Sequence, residues 1–253
     1  YSYDIIQSFA SIMMNERFED IAQAADAPFL GGGMSEGSIG ICPTMESTMF
    51  SATAHEGRID EAFRAMYTEM ERMRRYGFTA GEFERAKQEI LRWAERAYTN
   101  RNDVSNAEYA QRYLDNYADG SPMMDAETEW MLDQQFINSL TVDQINEAYL
   151  QLVAPNKNLV ILARSPKKEG VEIPTAEQLL AIKAEVEASE IAPFEDNTVI
   201  EPLLDPSLKL KGSKVQGVET NESLGYTEWT LKNGITVVVR PSTLKADEVM
   251  IVA

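Results

Sequence analysis

Apolar residues at Ile5, Ile6, Phe9, Ile12 and Met13 recur at the spacing of one helical face, which predicts a helix over residues 3–25. The apolar phase shifts between Met13 and Phe18, so this helix is kinked or is buried on two sides. Pro28 and Gly31-Gly32-Gly33 then break the pattern. Residues 37–41 and 48–54 read as two short strands, placed side by side in one sheet.

A long helical block follows. Ile59, Ala62, Phe63, Met66, Tyr67, Met70 and Met73 form a continuous apolar stripe that Gly77 is placed to end. Thr79 with Glu82 is a capping box opening the next helix, whose face carries Phe83, Ala86, Ile90 and Trp93. Trp93 and Phe63 are both expected to be buried between helices. Further helices are predicted over 107–117 and 126–138, and after a second capping box at Thr141 and Gln144. "APNKN" is a turn, and residues 159–164 ("LVILAR") read as a buried strand closed by Pro166. Strands flanking a helical block predict an α+β fold: one mostly antiparallel sheet with several helices packed on one face.

Beyond an acidic helix over 175–189 the pattern fades. Residues 190–225 carry Pro193, Pro202 and Pro206, a linker composition that Ile200, Leu203, Leu204 and Leu208 could strap to a surface. Residues 227–231 and 235–239 then flank Asn233-Gly234, a strong hairpin signal, with a further β-rich run at 249–252. Such a hairpin needs a sheet to join. It reads as the opening of a further domain, and the chain as a piece of something longer. A homodimer through this hairpin is one way to cover it.

Composition narrows the partners. The chain has 253 residues, 44% hydrophobic and 25% charged, with a net charge of −18. That charge argues against nucleic acid or anionic membrane, and no apolar run has transmembrane length. Cys42 stands alone and forms no internal disulfide. It reads as a small buried thiol, with a nucleophile served by His55 the alternative. His55, the single histidine, reads as a turn residue at a strand end, with substrate contact the alternative. The three glycines lack the Lys-Ser/Thr of a phosphate loop and read as a flexible break. Met66, Met70 and Met73 read as core, with a partner groove the alternative. Glu69 with Glu71, and Glu82 with Glu84, sit two apart on different helix faces and read as solvated.

Three stretches together carry a resemblance. "MMNERFEDIAQAADAPFLGGG", "EGRIDEAFRAMYTEMERMRRYGFTAGEFERAKQEIL" and "LTVDQINEAYLQLVAPNKNLVILARSP" resemble the non-catalytic domain of one half of an M16 (insulinase, pitrilysin, mitochondrial processing peptidase) zinc metallopeptidase. "WTLKNGITVVVRP" resembles the strand, Leu-x-Asn-Gly turn and strand that open such a domain. The resemblance implies a non-catalytic domain over 1–166, a helix and inter-half linker over 167–225, and the start of the next domain at 226–253. It implies a wall of a peptide-holding chamber in contact with the catalytic domain, with peptide as substrate. A scaffold or assembly subunit without peptidase activity is the alternative. It implies zinc in the catalytic domain and, for a bacterial protein, the periplasm or cell envelope.

The family's His-x-x-Glu-His signature holds zinc on two histidines, with the Glu as general base. Here Arg58 and Ile59 stand third and fourth after His55, and Ser51 and Ala54 stand where an earlier His and the Glu belong. The resemblance therefore implies no catalytic and no metal-binding residue in this chain, which should be inactive alone. It assigns no substrate-binding residue.

Overall fold

Helix α1 (Ser2–Gln23) is unbroken. Ile5, Phe9, Met13 and Arg17 lie four residues apart along one line, Ala10, Met14 and Phe18 along the next, and all are buried. The phase shift in the sequence is burial on two sides, not a kink. The computed structural model describes residues 2–39, 42–153, 158–166, 168–169, 171–198, 204–205, 207–209, 211–243 and 249–252; at 38–39, 42–44, 119 and 151–152 it describes the backbone alone.

Strands β1 (Phe29–Ile39) and β2 (Cys42–Ala54) form one long antiparallel hairpin. The glycine run is therefore inside a strand and is not a break. A side chain at Gly32 would meet Phe18 at 3.1 Å and Phe29 at 3.2 Å, so the close approach of α1 to β1 requires glycine there.

Helices α2 (Ile59–Tyr76) and α3 (Ala80–Thr99) are joined by a tight turn at Gly77. Gly77 has φ 71° and ψ −159°, a conformation reserved for glycine. The Thr79–Glu82 capping box forms as the sequence predicts. Helices α4 (Asn106–Asp119), α5 (Ala126–Ser139) and α6 (Val142–Leu152) follow, with α6 opened by the Thr141–Gln144 box. Phe9 stacks on Phe83 at 5.0 Å between α1 and α3, while Phe78 meets Tyr149 edge-on at 6.2 Å. These contacts, with Ile137 and Ile145, form the main core.

Helix α7 (Ala176–Ala188) opens on a third capping box, Thr175 with Gln178. It packs on α2, where Leu179, Ile182, Val186 and Ile191 bury Phe63 and Tyr67. The next residues are strapped to α2 and α3. Arg72 Nε donates to the Ala192 carbonyl at 3.0 Å, Tyr76 Oη to Ile191 at 2.7 Å and Arg85 Nη1 to Asp196 at 2.9 Å. The strap thus lies at 189–197. Of the residues expected to make it, Ile200 and Leu203 fall outside the described residues, and Leu204 and Leu208 are exposed.

Two further expectations fail. Among the described residues, 159–164 pair with no strand. Their burial still alternates: Ile161 and Ala163 pack on the α2–α7 cluster, and Val160 and Leu162 are exposed. Trp93 is 48% exposed, although it follows the same helical side as Ala86, two turns further along α3.

Chain contacts divide the molecule into Tyr1–Asn197 and Thr198–Ala253. The second unit is an antiparallel sheet of β3 (Val215–Asn221), β4 (Tyr226–Leu231) and β5 (Thr236–Val239), in that order. β3 lies within the stretch read as linker. The β4–β5 connection is a three-residue loop, not the two-residue turn the Asn-Gly pair suggests: Leu231 N–H bonds the Ile235 carbonyl at 2.8 Å, and Gly234 N–H bonds Leu231 at 2.9 Å, with Gly234 at φ 86°. Among the described residues, 249–252 pair with no strand, and they are exposed. Among the described residues each unit thus carries one small antiparallel sheet, within the mixed α+β fold expected.

Candidate functional site

The β1–β2 hairpin has two unlike faces. Toward α1 it presents Gly32 opposite Ala52, Met34 opposite Phe50 and Glu36 opposite Thr48. Met34 is buried, and Phe50 and Ala52 pack on the core. On the other face stand Gly31 opposite Thr53, Gly33 opposite Ser51, Ser35 opposite Met49 and Gly37 opposite Ser47. This face has little side-chain bulk, and Thr53, Ser51, Met49 and Ser35 are exposed. A side chain added at Gly31 or Gly37 would meet nothing within 4 Å. Another chain can therefore approach the backbone closely here.

Asn15 fixes the hairpin on its support. Its side-chain amide donates to the Met34 carbonyl at 3.2 Å and accepts the Met34 N–H at 2.6 Å. Both Met34 groups point away from β2, so Asn15 occupies the outer edge of β1 at that residue as a neighbouring strand would.

Below it, Arg17 joins three helices. Its Nε and Nη2 donate to the two oxygens of Glu82 at 2.6 and 2.9 Å, Nη1 to Glu69 at 3.0 Å and Nη2 to the Gly77 carbonyl at 3.1 Å. The guanidinium also lies 4.2 Å from the Phe194 ring centre and 5.1 Å from that of Phe78. Glu69, Glu71 and Glu82 are each 1% exposed, which corrects their reading as solvated. Glu69 and Glu82 are buried because Arg17 meets them. Burial alone would raise Glu71, but Arg74 and Arg75 hold it below the usual carboxylate range. Sequence reasoning missed Arg17, although it continues the four-residue line Ile5–Phe9–Met13. A charge on a buried stripe signals a buried partner.

Glu36 ties β1 to α6. Tyr149 Oη donates to Glu36 Oε1 at 2.7 Å, and Thr48 Oγ1 lies at 3.4 Å. Oε2 is buried without a partner among the described residues. Burial raises the pKa of Glu36, against the lowering effect of Tyr149 and Thr48, and raises that of Tyr149.

His55 lies half-buried in the turn after β2, where its carbonyl accepts the Arg58 N–H at 3.0 Å. The side chain of Cys42 falls outside the described residues, so the structure neither places it beside His55 nor separates them. A peptidase zinc needs several nitrogen, sulfur or carboxylate donors converging on one point. The single histidine and the residues that follow it do not supply that set. Among the described residues no three His, Cys, Asp or Glu side chains converge. No helix among the described residues is long and apolar enough to cross a membrane.

This architecture, a hairpin with helices on one face and a closing helical block, is the fold of the M16-type, insulinase-family proteases. Among solved structures it matches the periplasmic protease PqqL from Escherichia coli, at 19% identity and TM-score 0.65 over 96% of this chain and 26% of that one. The first half of PqqL alone matches 77% of this chain and 42% of its own, at 18% identity and TM-score 0.62. An insulinase-family protease from Yersinia pestis matches 74% and 39%, at 13% identity and TM-score 0.61. In sequence the chain is 22% identical to the probable zinc protease PqqL of Escherichia coli K12 over 246 residues, 95% of this chain. It spans about a quarter of that relative's length. No family model matches the chain.

Proposed function

We propose that this chain is a non-catalytic part of an M16-type zinc peptidase, forming one wall of a peptide-holding chamber and packing beside the catalytic domain. The observation that carries the reading is the two-faced hairpin. Helix α1 packs on one face, burying Met34 and partly covering Phe50 and Ala52, and the other is open and nearly free of side-chain bulk, a surface over which an extended peptide can lie. Zinc and its general base belong to another part of the full protein, and the chain alone is inactive. Residues 198–253 open the next domain. Supporting this, the first half of PqqL matches a share of the chain close to that of Tyr1–Asn197, whereas the whole protease matches nearly all of it. The periplasm is the proposed compartment, by likeness to PqqL.

The test is a Gly31→Trp substitution in the full-length protein. A Cβ at Gly31 would meet nothing within 4 Å, so the melting temperature and bound zinc should stay unchanged while kcat/KM for peptide cleavage falls. Unchanged kcat/KM would remove the open face from the chamber. Absence of zinc-dependent cleavage in the unsubstituted protein would overturn the peptidase reading.

A further inference from the structure

Residues 159–164 have the side-chain pattern of a strand without its ladder. Exposure alternates along the run and just past it: Ile161, Ala163 and Ser165 are partly buried, while Val160, Leu162, Arg164 and Pro166 are exposed. That is the period of a strand with one covered face. Yet among the described residues no hydrogen bond reaches a backbone N–H or carbonyl of 159–164. A row of unpaired backbone groups on an apolar segment is a template for another strand.

Beside the run, within the same unit, lies an apolar groove of about 670 Å³. Leu159, Ile161 and Ala163 line it from the run, Ile173 from the loop before α7, and Leu179 and Leu180 from α7 itself. Ile173 is 45% exposed and Leu180 56%. Among the described lining residues only Lys183 is charged, and Glu187 already holds it at 2.7 Å. The place therefore offers apolar surface and open backbone groups, and no free charge. A docked helix would cover the side chains and leave the backbone of the run unpaired. An extended apolar strand satisfies both.

The source of that strand follows from what surrounds the chain. The 253 residues span about a quarter of the PqqL relative, so the full protein has ample further sequence. A strand tethered in the same polypeptide meets the run at a far higher effective concentration than a separate chain does. A second copy lacks that advantage and brings a charge of −18 to one of −18.

We propose that residues 159–164 are one strand of a sheet completed in the full-length protein. A strand from outside these 253 residues pairs with the backbone of the run and sets apolar side chains in the groove against Ile173 and Leu180. This rests on the reading of the chain as part of a longer protease, and names the kind of segment that packs on it. It is measured by amide exchange, not by cleavage, so loss of either reading is seen separately from loss of the other.

The experiment compares hydrogen exchange at 159–164 in this chain and in the full-length protein. Successive N–H groups of a strand point to opposite edges, so one added strand slows every second amide and leaves those between fast. In this chain all of them should exchange fast. In the full-length protein alternate amides should slow to the rates of β2. Leu180→Ser should leave the melting temperature of this chain unchanged, because Leu180 is exposed in it. In the full-length protein the same substitution should speed the slowed amides about tenfold, the loss expected for one leucine contact. Equal exchange in the two proteins would overturn the proposal. So would slowing of all the amides alike, which marks cover by something other than one strand. Alternate slowing in this chain by itself would also overturn it: the partner is a second copy if the effect grows with concentration, and a segment of this chain if it does not. Unchanged rates in full-length Leu180→Ser would overturn the placement of the strand in the groove.

Discussion

Arg17 Nε lies 2.6 Å from Glu82 Oε1, while Glu82 Oε2 accepts the Thr79 backbone N–H at 2.8 Å. One carboxylate thus binds the interior of α1 and closes the first turn of α3. Glu69 of α2 completes the set at 3.0 Å, so α1, α2 and α3 meet at one guanidinium. Removing Arg17 leaves two buried carboxylates without it. Arg17→Met should therefore lower stability to urea by about 3–5 kcal/mol, the range for breaking a buried ion pair from one side. Arg17→Lys should recover little, since an ammonium cannot bridge both oxygens of Glu82 and also reach Glu69. A loss below about 1 kcal/mol for Arg17→Met would show the cluster to be dispensable.

Gly77 sits against Asn146, which holds the α2–α3 turn by accepting the Phe78 N–H at 2.8 Å and donating to the Phe78 carbonyl at 3.1 Å. A side chain at Gly77 would lie 2.6 Å from the Asn146 side chain, in a backbone region open only to glycine. Gly77→Ala should cost about 1–3 kcal/mol for the backbone alone. Asn146→Ala in the same background should recover part of the steric loss, which equilibrium unfolding of the single and double variants will show.

The sequence was most legible where local chemistry decides. Two capping boxes, the Gly77 stop and the α2 stripe can all be read from adjacent residues. It was least legible where a distant partner decides. Glu69 and Glu82 read as solvated because each sits two residues from another Glu, on a different helix face, and only the fold brings Arg17 to them. Gly31-Gly32-Gly33 reads as a break because glycine is a poor strand former, and only the approach of Phe18 explains a glycine strand. The open face was illegible for the same reason: alternating Gly and Ser signals a loop until the register of β1 with β2 is known.

Trp93 and Phe63 respond differently to truncation. Both lie on helices with apolar stripes, yet Phe63 is 8% exposed, against Leu179 and Ile182, and Trp93 is 48% exposed. Phe63→Ala should cost about 3–5 kcal/mol. Trp93→Ala should cost under about 1 kcal/mol, as for an exposed position. Thermal melts of the pair decide, and similar losses would show that Trp93 is covered in solution.

Glu36 gives the protein a pH dependence of known sign. Burial raises its folded pKa above the unfolded value, so the folded state holds the proton more tightly. Its contribution is fully present below the unfolded carboxylate pKa and is lost as pH rises through the raised one. At neutral pH the ionised Glu36, with Oε2 buried and unpartnered among the described residues, is a net cost. Glu36→Gln keeps an acceptor for Tyr149 and removes the charge. It should be more stable than the native protein at neutral pH, and the difference should shrink as pH falls through the Glu36 titration. A difference that stays constant across the acid range would assign the effect to packing, since titration alone moves with pH.

Ile161 and Leu162 are adjacent and should behave as opposites. The run 159–164 is extended and apolar, and among the described residues it has no ladder partner. What order it has comes from alternate side chains. Ile161 packs beside Phe63 and Leu179, while Leu162 is 69% exposed. Ile161→Ala should cost about 2 kcal/mol, the low end for a core isoleucine, and Leu162→Ser should stay within about 0.5 kcal/mol. The backbone adds a second readout. Without cross-strand hydrogen bonds the amides at 159–164 should exchange with solvent much faster than those of β2, even though the side chains are as apolar as a buried strand's. Protection at 159–164 equal to that of β2 would mean that these residues pair with another strand in solution.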